Sequence, residues 1–168
     1  MTGATTGEEM ERRIAGEGID HVFCEFADIN GISRSKVLSA EAFLDAWEAG
    51  PSVNLTILAQ TPRNDVPEGS GWAGETDYAD GRLRLDPGTF RVLPWRENAA
   101  RVMGDLEFRG EPVAASPRRA LRRVLDGAPS GLDIRVGNEL EFYLLDPGEA
   151  PGDYEPVTSG KHECVSWA

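Results

Sequence analysis

Lysine is almost missing from this 168-residue chain, which has Lys36 and Lys161 against 15 arginines. The 17 basic residues fall far short of the 29 acidic ones, and the net charge is −12. A surface of that sign repels nucleic-acid phosphates and anionic membranes, which argues against both as partners. Arginine bias combined with acidity fits either a GC-rich genome or a salt-rich host. Cysteine is scarce as well: Cys24 lies in an apolar segment and Cys164 in the polar tail. Two cysteines in a chain without a secretion signal argue for free thiols over a disulfide framework, and neither is expected to bind metal. No apolar run approaches the ~18 residues needed to cross a bilayer. The opening MTGATTGEEMERR has no apolar h-region, so the cytoplasm is the expected setting. Internal repeats, heptads and low-complexity tracts are also lacking.

What remains is the composition of a soluble globular protein, 40% hydrophobic and 27% charged, in a chain of one-domain length. Glu8 to Ala15 reads as a short helix, and HVFCEFAD (21–28) alternates as a strand. Asn30-Gly31 supplies a hairpin turn that returns through Ser33–Leu38. Ser39 caps a helix predicted to run to Ala49, burying Phe43, Leu44 and Trp47, with Gly50-Pro51 as its stop. Strands are expected at Val53–Leu58, Arg82–Leu85, Phe90–Leu93 and Arg101–Phe108. Between them, residues 60–80 form a long Gly-, Pro- and acid-rich loop carrying Trp72, of a length more often functional than idle. Ser116-Pro117 opens a further helix in the favoured order for an N-cap, with Leu121, Val124 and Leu125 as its buried stripe. A strand over 133–145 follows, and the tail from Asp146 offers no clear element.

That last strand contains GNELEFYLL, residues 137–145, and places Glu139 and Glu141 on one face because side chains alternate along a strand. Two rises of ~3.3 Å set their backbones about 6.6 Å apart, where unit charges repel by roughly 2.5 kcal/mol at an effective dielectric constant of ~20. Water on the polar face of an amphipathic strand would screen them, and so would divalent cations. Elsewhere, Arg34 and Lys36 share a strand face that solvent or an anionic group could meet, and Trp95 reads as a core or interface anchor.

Five short patterns recur in order: Asp28-x-x-Gly31-x-x-Arg34-x-Lys36, Asp80-x5-Asp86-Pro87-x-Thr89, Leu93-Pro94-Trp95, Pro117-Arg118, and Gly137-x-Glu139-x-Glu141-Phe142. In this order and spacing they resemble the N-terminal part of glutamine synthetase and its relatives, over roughly residues 15–146. The resemblance implies an α+β fold: a β-grasp-like mixed sheet with a packed helix over 1–112, then the first helix–strand unit of a truncated catalytic domain over 113–168. It implies an ATP-dependent ligase of glutamine biosynthesis and nitrogen metabolism, which joins glutamate to ammonia through γ-glutamyl phosphate. Glu139 and Glu141 would each help hold one of two Mg²⁺ or Mn²⁺ ions, by the ATP phosphates and by the glutamate respectively. Full-length relatives form homo-oligomeric rings in which the N-terminal domain packs on a neighbour's catalytic domain.

Ammonia-using members carry an aspartate early in the long loop. Here the stretch reads Leu58-Ala59-Gln60-Thr61, with Asp65 further on, which keeps open a relative that uses another amine or polyamine. Family enzymes are more than twice this long, so the chain reads as a fragment inactive alone, with most of the ATP site and further ligands elsewhere. A non-catalytic β-grasp regulatory protein is the reading from another class. His162 and Glu163 match none of the family's motifs.

Overall fold

The computed structural model describes residues 5–148, 150 and 152–157. It divides into two compact units, Met1–Ala128 and Pro129–Ala168. Cys164, His162 and Glu163 lie outside the described residues.

The first unit is a mixed sheet whose buried face is covered by the first two helices. Helix α1 (Gly7–Gly16) begins with a reciprocal cap, in which Glu9 N donates to Thr6 Oγ1 and Thr6 N donates to the Glu9 carboxylate. Its inward residues Met10 and Ile14 are buried. Strands β1 (His21–Ala27) and β2 (Ser33–Ser39) form the expected hairpin, antiparallel with Val22 opposite Leu38. Strand β3 covers Ser52–Asn54, β4 Asp80–Leu85, β5 Arg91–Val92, β6 Ala99–Phe108 and β7 Glu111–Pro112. Their order is β2-β1-β6-β4-β3, with β5 and β7 also paired to β6. Strand β6 runs parallel to β1 and antiparallel to β4. At the β6–β7 turn Arg109 and Gly110 both take positive φ, 53° and 85°.

Helix α2 spans Ala40–Asp45, capped by Ser39, and is shorter than the predicted 39–49. The chain then turns at Gly50, which takes φ 75° and sits where an added Cβ would lie 2.3 Å from the Leu83 carbonyl oxygen, so the turn requires glycine. Phe43 is completely buried, Trp47 nearly so, and Leu44 packs at the core's margin. The Phe43 ring lies 5.6 Å from that of Trp47 and 6.4 Å from that of Phe90, at the centre of the core.

The strand predicted over Val53–Leu58 stops at Asn54. The Asn54 side-chain oxygen accepts from Thr56 N at 2.9 Å and Thr56 Oγ1 at 2.7 Å, which winds Leu55–Leu58 into a 3-10 turn. That turn still delivers Leu55 and Leu58 to the core. In the long loop, Trp72 packs edge-on against Phe108 at 6.1 Å. Trp95 is 76% exposed and belongs to no core.

Helix α3 (Pro117–Asp126) starts where expected, but its predicted stripe is not buried: Leu121, Val124 and Leu125 are all exposed. Its arginines engage the sheet unit instead, as described below.

In the second unit the predicted 133–145 strand does not form. Residues 132–144 are irregular, and Leu140 and Phe142 are 84% and 78% exposed. A strand needs a neighbour for its N–H and C=O groups, and among the described residues of this unit only β8 (Leu145–Pro147) and β9 (Tyr154–Pro156) pair. That hairpin lies in the tail where no element was expected.

Phe43→Ala should lower unfolding free energy by about 3–5 kcal/mol, whereas Leu121→Ala should change it by less than ~0.5 kcal/mol. Urea denaturation of both variants checks this, and a large cost at Leu121 would mean that the stripe is buried after all.

Candidate functional site

Several patterns singled out in the sequence prove to be polar staples of the sheet unit. Asp28, 1% exposed, sits at the end of β1. Its Oδ1 accepts from Asn30 N at 2.9 Å and Ile32 N at 3.0 Å, and its Oδ2 accepts from Arg34 Nε at 2.7 Å. Gly31 N donates to the Asp28 carbonyl, and Gly31 takes φ 77°. The spacing Asp28-x-x-Gly31-x-x-Arg34 is thus that of one self-satisfied hairpin turn. Burial alone would raise the Asp28 carboxyl, but the Ile32 amide, the Arg34 guanidinium and the Asn30 amide together hold it below its ordinary 3.8. Lys36 donates to the Ser52 carbonyl at 2.9 Å, and Ser52 Oγ donates to Asp80 at 2.6 Å. Arg34 and Lys36 therefore have protein partners and are not a bare solvated face. They line an open groove of about 720 Å³ with Asn54 and Asp80.

Asp86 caps the turn after β4 by accepting from Gly88 N at 3.1 Å. Thr89 Oγ1 donates to the Asp86 carbonyl at 2.7 Å and accepts from Met103 N at 2.8 Å, tying that turn to β6. The same Asp86 carboxylate takes hydrogen bonds from Arg118 and Arg122 of α3, and both arginines also pair with Asp105 of β6, at 2.9 and 3.0 Å. Burial pushes Asp86 up and Arg118 down, yet their hydrogen bonds and opposite charges prevail, leaving Asp86 lowered and Arg118 raised. Sequence reading singled out Asp86 and Arg118 and missed Asp105 and Arg122. The signal was present: Arg118 and Arg122, four apart, share a helix face.

Glu139 and Glu141 lie on the exposed irregular segment of the second unit. Among the described residues no three His, Cys, Asp or Glu side chains gather as a metal site. Two carboxylates on such a segment do not by themselves fit a divalent ion, because octahedral Mg²⁺ needs near-ideal geometry and further ligands. Cys24 is a free, buried thiol whose pKa burial pushes up to about 12, so it stays protonated and acts as core packing. No helix among the described residues is long and apolar enough to cross a membrane.

The Asp28 ion pair predicts a definite pH dependence. Since the folded carboxyl is depressed, its stabilisation is complete above 3.8 and is lost as pH falls through the lower folded value. The stability gap between the native chain and Asp28→Asn, measured by urea titration across pH, should be full at neutrality and close in acid. A gap that persisted undiminished at the lowest pH would contradict the pairing.

No family profile matches the chain. Among curated proteins it is 37% identical over 142 residues to γ-glutamylethanolamide synthetase of Streptomyces coelicolor, aligning 82% of this chain with 31% of that protein. It is 32% identical to glutamine synthetase of Methanosarcina mazei, over 86% of the chain and 31% of the relative. It is also 32% identical to a glutamate–isopropylamine ligase of a Pseudomonas species, over 79% and 30%. Solved structures with the same fold include GmaS in complex with ADP, at TM-score 0.56 and 25% identity, covering 70% of this chain and 24% of that one. A glutamine synthase homologue superposes at TM-score 0.55 and 25% identity, covering 64% and 26%. The chain thus spans about a third of the length of the curated relatives it matches. On the agreement of sequence over most of its length and of its mixed α+β, sheet-centred fold, the chain belongs to the glutamine synthetase family.

Proposed function

We propose that the chain is part of an ATP-dependent glutamate–amine ligase, with a β-grasp domain over residues 1–112 and the beginning of a catalytic domain over 113–168. The observation that carries this reading is the ordered set of five patterns, four of them falling within the first unit, together with the kinship to glutamate ligases. The substrates would be glutamate, ATP and ammonia or another amine, in the cytoplasm, and the complete enzyme would be a homo-oligomeric ring. Glu139 and Glu141 would supply part of a site for Mg²⁺ or Mn²⁺, completed by ligands beyond those described. When bound, the ions would neutralise phosphoryl oxygens and polarise the acceptor carboxylate.

One observation favours an amine other than ammonia. Asp65, the only aspartate early in the long loop, is used locally: Thr61 N donates to the Asp65 carbonyl at 2.9 Å and the Thr61 hydroxyl donates to its carboxylate. That engagement supports a γ-glutamyl-amine ligase, as do the two amine-ligase relatives by their names.

Amine-dependent phosphate release tests the proposal. The purified 168-residue chain, given ATP, glutamate and Mg²⁺, should release none with ammonia, ethanolamine or isopropylamine. An intact ligase containing this segment should do so, and Glu139→Ala or Glu141→Ala should cut its rate by about 100-fold or more. Turnover by the 168-residue chain alone, abolished by either substitution, would show that the machinery is already complete within it. Full activity of both variants in the intact ligase would remove the two glutamates from the site.

A further inference from the structure

Two of the sequence patterns, Asp86-Pro87-x-Thr89 and Pro117-Arg118, play no part in the proposed chemistry, yet the fold brings them into contact. Asp86 follows β4, Asp105 lies on β6, and Arg118 and Arg122 are one turn apart on α3. The four groups form a closed square of opposite charges: each arginine touches both aspartates, and each aspartate touches both arginines. Arg118 is the better covered, with 18% of its side chain exposed, against 42% for Arg122.

No residue of α3 itself is buried. Its large apolar side chains Leu121, Val124 and Leu125 are 59%, 70% and 46% exposed and of its apolar residues only Pro117 and Ala120 are half-buried, so apolar burial contributes little to holding it. Full burial ends just before the helix, at the apolar Val113 and the polar Ser116. A ten-residue helix is also too short to persist in water without packing.

We propose that the Asp86–Arg118–Asp105–Arg122 square is an ionic clasp that alone sets α3 on the sheet, so that the helix docks and melts as a salt-dependent unit while the sheet stays folded. Ion pairs with partial solvent access weaken as added salt shortens the screening length from ~10 Å at 0.1 M to ~3 Å at 1 M. Apolar burial would respond to salt in the opposite sense or not at all. Low-stability elements of this kind open independently of the core they rest on.

The test is amide hydrogen exchange on the 168-residue chain, comparing 0.05 M and 1 M NaCl, with a chemical-shift or mass readout that resolves residues 120–126 from β1 and β6. Exchange in α3 should speed up by roughly tenfold in high salt, and by as much in Asp86→Asn/Asp105→Asn at low salt, with β1 and β6 unchanged. Reversing all four charges, Asp86→Arg and Asp105→Arg with Arg118→Asp and Arg122→Asp, should recover part of the protection that Arg118→Asp with Arg122→Asp alone removes. Retained β1 and β6 protection shows in the same spectrum that a variant is folded. The clasp is refuted if α3 protection is insensitive to salt and to neutralisation, if α3 is already fully exchanged at low salt, or if α3 and the sheet lose protection together.

Discussion

Strand β6 is the element on which the sheet unit depends. Its backbone pairs with β1 on one edge and β4 on the other, and the short β5 and β7 add to it at either end. Its inward residues Ala100, Val102 and Leu106 are buried beneath α1 and α2, and Gly104 among them admits no side chain: an added Cβ would fall 2.6 Å from Leu83. The neighbouring strands are therefore held at close approach by backbone pairing, and the Phe43, Trp47 and Phe90 cluster fills what remains. The polar staples are added to this frame. Asp28 closes the hairpin that flanks it, and Thr89 stitches the turn beside it to Met103.

The elements that could be read from sequence were those whose cause is local. Ser39 caps the helix it precedes, Pro117 opens another although the Ser116 side chain makes no capping hydrogen bond, and period-two alternation marks β1, β4 and β6 because each buries one face in this same unit. Where the reading failed, a distant or competing group decided. Asn54 captures Thr56 and converts the second half of a β-branched run into a 3-10 turn. For α3, the apolar stripe suggested the buried face, but it is Arg118 and Arg122, next to Leu121 and Leu125 on the helix surface, that meet two aspartates remote in sequence. A stripe records which side prefers burial, not whether anything is there to bury it.

The same limit applies to the candidate site. GNELEFYLL alternates well enough to predict a strand, yet alternation supplies no pairing partner, and 132–144 has none among the described residues. The five family patterns were legible as patterns, but their physical roles were not. Three of them turn out to organise a turn, cap a turn or hold a helix, and only the structure separates those roles from chemistry.

That separation bears on where a cation would matter in so acidic a chain. In the sheet unit the carboxylates that need charge compensation have it: Asp28 from two backbone amides and Arg34, Asp86 and Asp105 from two arginines of α3. Their charges are neutralised by groups fixed in the fold. Among the described residues no ion pair or hydrogen bond engages Glu139 or Glu141. Two like charges on adjacent outward positions of a would-be strand repel unless water or a positive group screens them. Water is one source of compensation, and a hard divalent ion would accept such oxygens only when several more are arranged around it. The pairing that would order 132–144 as a strand and the ligands that would complete an ion's shell are thus two demands of the same kind. Both call for a neighbouring surface, and satisfying the first would hold the carboxylates on one face, where the second could be met.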